Sequence, residues 1–138
     1  MKKFLKYWGV AILWMGVIFT FSAIPNLKTN LEEDFLLRKI AHVVEFGILA
    51  WLLCRAISNS SASAQGRSLP AGQAGASGGK ILIFSVIFAV FYALTDEYHQ
   101  TFVLNRHGAL KDVGIDSIGI LIMGLVWYIR NKGRLIKN

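Results

Sequence analysis

Asp96, Glu97, His99 and Gln100 fall within five consecutive positions, Arg106 follows in a short polar connection, and Asp112 and Asp116 come just beyond it. An imidazole among carboxylates has the makings of general acid–base catalysis. The same groups could equally hold a divalent metal. Arg106 is always charged, and its planar fork suits a phosphate or a carboxylate. On a helix, Asp96, His99 and Gln100 share one face with Tyr92 a turn below, whereas Glu97 is rotated by about 100° toward another neighbour. Asp112 and Asp116 stand one above the other at i, i+4. Upstream, Arg38, His42 and Glu45 form a second polar stripe at i, i+4, i+7, with Lys39 three residues before His42. The catalytic candidates are therefore His99, Asp96, Glu97 and His42. The substrate-binding candidates are Arg106, Lys39, Gln100, Glu45, Asp112 and Asp116. The sequence contains no HExxH and no GxSxG, so neither a zincin nor a serine hydrolase is indicated, and the metal and any cofactor stay open. A purely structural alternative also stands: Asp96, Arg106 and Asp112 as an ion-pair network that fixes the connection between two helices.

The elements that must carry these residues are apolar enough to cross a bilayer. The 138 residues leave room for one domain, are 54% hydrophobic and 17% charged, and have a mean hydropathy of +0.49. Ionisable groups are expensive at membrane depth, which makes a polar cluster there a functional site by default. Four spans of the length a bilayer needs are expected, at about 7–24, 36–57, 80–97 and 113–130. The first follows Lys2, Lys3 and Lys6 and is too long for a signal-peptide core, so a retained helix ended by Pro25 is expected. Glu32, Glu33 and Asp34 suit the N-terminus of the second, or a solvated loop. Residues 58–79 are rich in Ser, Ala, Gly and Gln and read as a flexible linker without chemistry. Residues 105–111 read as a turn with Gly108 available for a positive φ. Gly114, Gly119 and Gly124 are small residues that would let the fourth span approach its neighbours. The single cysteine, Cys54, has no partner for a disulfide or a zinc site and reads as a small hydrophobe.

The expected fold class is thus all-α, a polytopic membrane protein with both termini cytoplasmic. With that orientation, ten of the fifteen Lys and Arg lie in inner segments and five in outer ones, as the positive-inside rule favours. The net charge of +7 is then a matter of topology and anionic lipid, and nucleic acid is excluded as a partner. In this frame His42 and Glu45, Asp96 to Gln100, and Asp112 with Asp116 all converge on the extracytoplasmic face. The cytoplasmic half of every span is apolar, which argues against a proton-coupled transporter.

The residues that converge also match a family. Tyr92-Ala-Leu-Thr-Asp-Glu-Tyr-His-Gln-Thr-Phe, Arg106-His-Gly-Ala-Leu-Lys-Asp-Val and Asp116-Ser-Ile-Gly closely resemble the VanZ-like family of bacterial membrane proteins. Arg38-Lys-Ile-Ala-His42-Val-Val-Glu-Phe-Gly resembles that family's upstream element. The matching positions are Lys39, His42, Glu45, Asp96, Glu97, His99, Gln100, Arg106, Asp112 and Asp116. Where the family often has Pro-Gly before the arginine, this chain has Leu104-Asn105, and Asn also tolerates positive φ. The resemblance implies a multi-pass protein of the bacterial inner membrane, acting on the cell envelope and linked to low-level resistance to the glycopeptide teicoplanin. It implies no settled reaction. The expectation is a hydrolase or transferase on a lipid-linked or anionic substrate, with His99 as acid or base, Asp96 and Asp112 as orienters or metal ligands, and Arg106 gripping the anion. The alternative is a non-enzymatic protein that binds or shields drug or envelope components. The expected partners are membrane lipids and a lipid-linked envelope substrate or glycopeptide; the sequence carries no signal for oligomeric state.

Overall fold

The structure is a computed structural model that describes residues 2–25, 32–65, 71–106 and 108–136. Four helices follow one another: α1 (Lys2–Ser22), α2 (Glu32–Gln65), α3 (Ala71–Gln100) and α4 (Leu110–Ile136). Each contains a stretch long and apolar enough to cross a membrane: Leu5–Ser22, Leu36–Ser61, Gly78–Gln100 and Leu110–Lys132. Their outer flanks carry exposed Leu13, Phe84, Ile87, Phe91, Leu121 and Ile129. Water would penalise such a surface, whereas lipid tails accept it without cost. This is the four-span all-α membrane architecture expected from the hydropathy.

Small residues draw α2 and α4 together. A Cβ on Gly119 would overlap the carbonyl oxygen of Val43, and one on Gly47 would lie 3.1 Å from the carbonyl oxygen of Gly119. Gly124 meets the flexible end of Leu82 on α3, whereas Gly114 faces open space and does not serve the close approach expected of it. Around this crossing Ile18, Phe46, Leu49, Leu53, Ala89, Ala93 and Ile120 form the buried core. Cys54, Ile81 and Trp127 make a second cluster nearer the other end, so Cys54 packs as the small hydrophobe expected.

The helices run on into the stretch read as a linker. Backbone helix continues to Gln65 and resumes at Ala71, while residues 66–70 lie outside the described part. Alanine-bearing sequence favours helix locally once a long helix has been nucleated by packing. Ser60 also belongs to the bundle, since its hydroxyl accepts a hydrogen bond from the Trp8 indole at 2.9 Å.

The first helix is pinned to its neighbours by polar clamps along its length. Besides Trp8, Trp14 donates its indole N–H to the Glu45 carbonyl at 2.9 Å, and Tyr92 donates its hydroxyl to the Met15 carbonyl at 2.7 Å. In a low-dielectric surrounding such bonds compete with little water. They tie α1 to the bundle, and α1 also supplies groups to its polar end.

Candidate functional site

Of the six buried polar side chains among the described residues, Ser22, Asp96, Glu97, Gln100 and Asp116 lie at one end of the bundle. Here α1 and α3 end and α2 and α4 begin. A cavity of about 180 Å³ opens between them, lined by Arg38, Lys39, His42, Glu97, Gln100, Asn105, Arg106, Asp112, Ile115 and Asp116. Three separated segments thus supply one site, as the polar stripes implied.

Each wall has a local cause. On α2, Arg38 and His42 point the same way because they are one turn apart, and the His42 ring stacks against Phe46 with centroids 6.1 Å apart. On α4, Lys39 of the neighbouring helix pairs with Asp112, and Asp116 sits a turn deeper, only 1% exposed. On α3, Gln100 donates to Asp96 at 2.9 Å, the i, i+4 contact expected from their spacing. Glu97 accepts a hydrogen bond from the Ala109 N–H at 2.8 Å, which ties the connecting loop to α3.

The loop itself turns at Asn105, whose φ is 59°. Asn reaches the left-handed region at less cost than most residues, so it can make this turn. Gly108 does another task than the positive φ expected of it. A Cβ there would overlap the Glu97 carbonyl oxygen, so Gly108 allows the loop to lie directly on the end of α3.

Arg106 is held rather than free. Its Nε donates to the Ile24 carbonyl at 3.1 Å and its Nη2 to the Phe21 carbonyl at 3.2 Å. A cation there complements the helix dipole at the end of α1 and adds a second donor to the Phe21 carbonyl, which already accepts from the Ile24 N–H at 3.2 Å. Burial pulls the Arg106 pKa below its ordinary value, and the nearby charge of Arg38 pulls it the same way. Two guanidinium groups that raise each other's energy beside a cleft favour an anionic guest. The alternative network of Asp96, Arg106 and Asp112 is not what forms: Asp112 pairs with Lys39, Asp96 with Ser22 and Gln100, and Arg106 with α1 carbonyls.

The two histidines separate. His42 lines the cavity, and its Nδ1 lies 3.9 Å from Asp116 Oδ2. His99 does not line it; its ring lies against Phe19 of α1, with centroids 4.3 Å apart. The helical angles explain the difference. Glu97 and Gln100 lie about 100° and 40° to one side of Asp96, and His99 about 60° to the other. Asp96 itself sits between, outside the cavity lining, and Glu45 is half-buried and likewise outside it. Lys39, Glu97, Gln100, Arg106, Asp112, Asp116 and His42 are the candidates that the fold brings together.

Sequence reasoning missed Ser22, Arg38 as a cavity wall, and Ile115. Arg38 carried a signal through its place on the His42 stripe, and Ser22 carried none. The Ser22 hydroxyl donates to Asp96 Oδ2 at 2.9 Å in a buried setting. Ser22→Ala is expected to cost about 1–3 kcal/mol, because it leaves a buried carboxylate short of a donor. Ser22→Thr should retain most of that. Unfolding of the purified protein in mixed micelles measures both, and equal stability of Ala and wild type would show that the bond contributes nothing.

Comparison with known proteins adds the family. A family model described as VanZ/LLP1 matches residues 7–131, nearly the whole chain. The chain belongs to the VanZ/LLP1 family. No curated protein and no solved structure shows a significant match. The VanZ/LLP1 match runs through α1 and through the stretch between α2 and α3, so it takes in the first span as well as the segments that carry the motif. In this VanZ/LLP1 protein the motif residues do two kinds of work. Glu97, Arg106 and Asp112 assemble and brace the site, and His42, Glu97 and Asp116 face one another across it.

Proposed function

We propose that this protein acts at the extracytoplasmic face of the bacterial inner membrane, as a hydrolase or transferase on an anionic, lipid-linked group of the cell envelope. The observation that carries this reading is the cavity at the bundle end, which joins cationic Arg38 and Arg106 to His42, Glu97 and Asp116. The guanidinium groups bind and orient the anion, and the imidazole and carboxylates are the reactive groups. Lipid-exposed flanks on the same helices let a substrate enter laterally from the outer leaflet with its chain still in the membrane. The charge bias of the loops supports the outward orientation. Resistance to teicoplanin would follow from an altered envelope rather than from contact with the drug.

The test is glycopeptide susceptibility in a host lacking its own homologue, with all variants at matched membrane abundance. Wild type is expected to lower teicoplanin susceptibility. His42→Ala and Asp116→Asn are expected to remove at least about nine-tenths of that effect, since each takes away a reactive group, and Arg38→Gln to lower it less, since Arg106 lines the same cavity. Lipid-facing Phe88→Leu should leave it unchanged. A loss with His99→Ala and none with His42→Ala would move the chemistry to the α1–α3 side and sink this reading. Graded, partial losses from every substitution would favour a protein that binds or shields without catalysis.

A further inference from the structure

We propose that His42, Glu97 and Asp116 form a binding site for one divalent transition-metal ion, of the Zn²⁺ or Mn²⁺ class. One helix supplies each residue, α2, α3 and α4 respectively, and each offers a ligand atom within 4.8 Å of the other two. A first-row ion takes nitrogen and oxygen ligands at about 2.0–2.2 Å, so three ligand atoms arranged tetrahedrally around one ion stand roughly 3.5 Å apart. Side-chain rotations that move a ligand atom by on the order of an ångström therefore close the set. The constellation is buried: Asp116 is 1% and Glu97 5% exposed.

A second, independent observation points to a ligand. Asp116 Oδ2 is buried without a hydrogen-bond partner, and the nearby His42 Nδ1, at 3.9 Å, is too far to supply one. Buried carboxylate oxygens left in that state are costly, and an ion at this position would satisfy the oxygen directly. Glu97 is oriented for the same task, since the Ala109 N–H holds one of its oxygens at 2.8 Å and the other has only a long contact of 3.4 Å from Gln100. An outer partner that fixes a ligating carboxylate is a regular feature of metal sites. Three ligands leave coordination positions unfilled, and Arg38 and Arg106 line the same cavity. One imidazole and two carboxylates suit Zn²⁺ or Mn²⁺ better than Cu(I), which prefers sulfur, or Mg²⁺, which keeps its waters.

The inference rests on this site but not on the envelope reading. With an ion bound, His42 is a ligand and not a free base, and activation of a water falls to the ion. The metal question is therefore asked without substrate. Purified full-length protein in nanodiscs is titrated with Mn²⁺, and free Mn²⁺ is followed by its electron paramagnetic resonance signal. One saturable site per chain is expected, with Zn²⁺ competing for it. Asp116→Asn and His42→Gln are each expected to weaken it by at least about tenfold, and Phe88→Leu to leave it unchanged. The wild-type thermal midpoint should also rise with Mn²⁺ and return on chelation, a readout that survives if a variant fails to fold. No saturable site in wild type, or one that both ligand variants retain, would overturn the proposal. A bound ion without any change in susceptibility would leave the metal site standing and sink the envelope reading; the converse outcome would do the opposite.

Discussion

Gly119→Ala is expected to break the bundle at its tightest point and to lower stability by about 3 kcal/mol. The added Cβ would overlap the Val43 carbonyl oxygen and press on the Val43 side chain, which a Cβ would meet at 3.1 Å. A rotamer change can ease only the second contact, because the first obstacle is backbone. The helices must separate, and the buried Phe46, Leu49 and Ile120 near the crossing lose contact as they do. The damage reaches the site as well. Val43 adjoins His42, and Gly119 lies three residues below Asp116, so a wider crossing pulls the imidazole from the carboxylate across the cavity. Gly114→Ala is the matched control on the same helix: its Cβ meets nothing within 4 Å, and alanine in a helix interior is favoured by roughly 0.5–1 kcal/mol over glycine. Thermal unfolding of both variants in the same detergent decides it. Equal melting of the two would mean that the α2–α4 approach is looser than the structure has it.

These two glycines also show where sequence reading stops. Both sit in an apolar helix at spacings that suggest close packing, and only the crossing point tells them apart. The same limit separates the histidines. Hydropathy placed all four helices, and the polar stripes do meet at one end of the bundle. Spacing alone put Asp96, His99 and Gln100 on one face, but that face is wide enough to be divided between two neighbours. Asp96 straddles the division, bonded to Ser22 on α1 and to Gln100 beside it, and His99 falls on the α1 side. Glu97, one residue on from Asp96, turns into the cavity, as its angle suggested. Ser22 shows the remaining gap: it closes an apolar run, and its partner lies 74 positions away. Long-range pairing of that kind leaves no local periodicity to read. The turn was more legible, because Asn105 is one of the few residue types that reach positive φ readily, and it does.

Gly108→Ala is expected to abolish function while leaving the bundle folded. The loop between α3 and α4 lies on the end of α3 only because position 108 has no Cβ; an added one would overlap the Glu97 carbonyl oxygen and come within 2.9 Å of Thr101 Cγ2. The loop must lift. When it does, the Ala109 N–H leaves Glu97, freeing the carboxylate to rotate out of the cavity, and Arg106 is drawn from the Phe21 and Ile24 carbonyls. A misplacement of about 1 Å in a positioning group can cost on the order of 100-fold in rate, so susceptibility should return to that of the empty host. The core lies below this layer, in Phe46, Leu49, Ala89 and Ile120, and the thermal midpoint should fall much less than in Gly119→Ala. The pair of variants therefore separates two uses of one small residue, packing the scaffold and seating the site. If Gly108→Ala keeps full activity, the loop does not hold Glu97 or Arg106 in their working positions, and the cavity must derive its order from α2 and α4 alone.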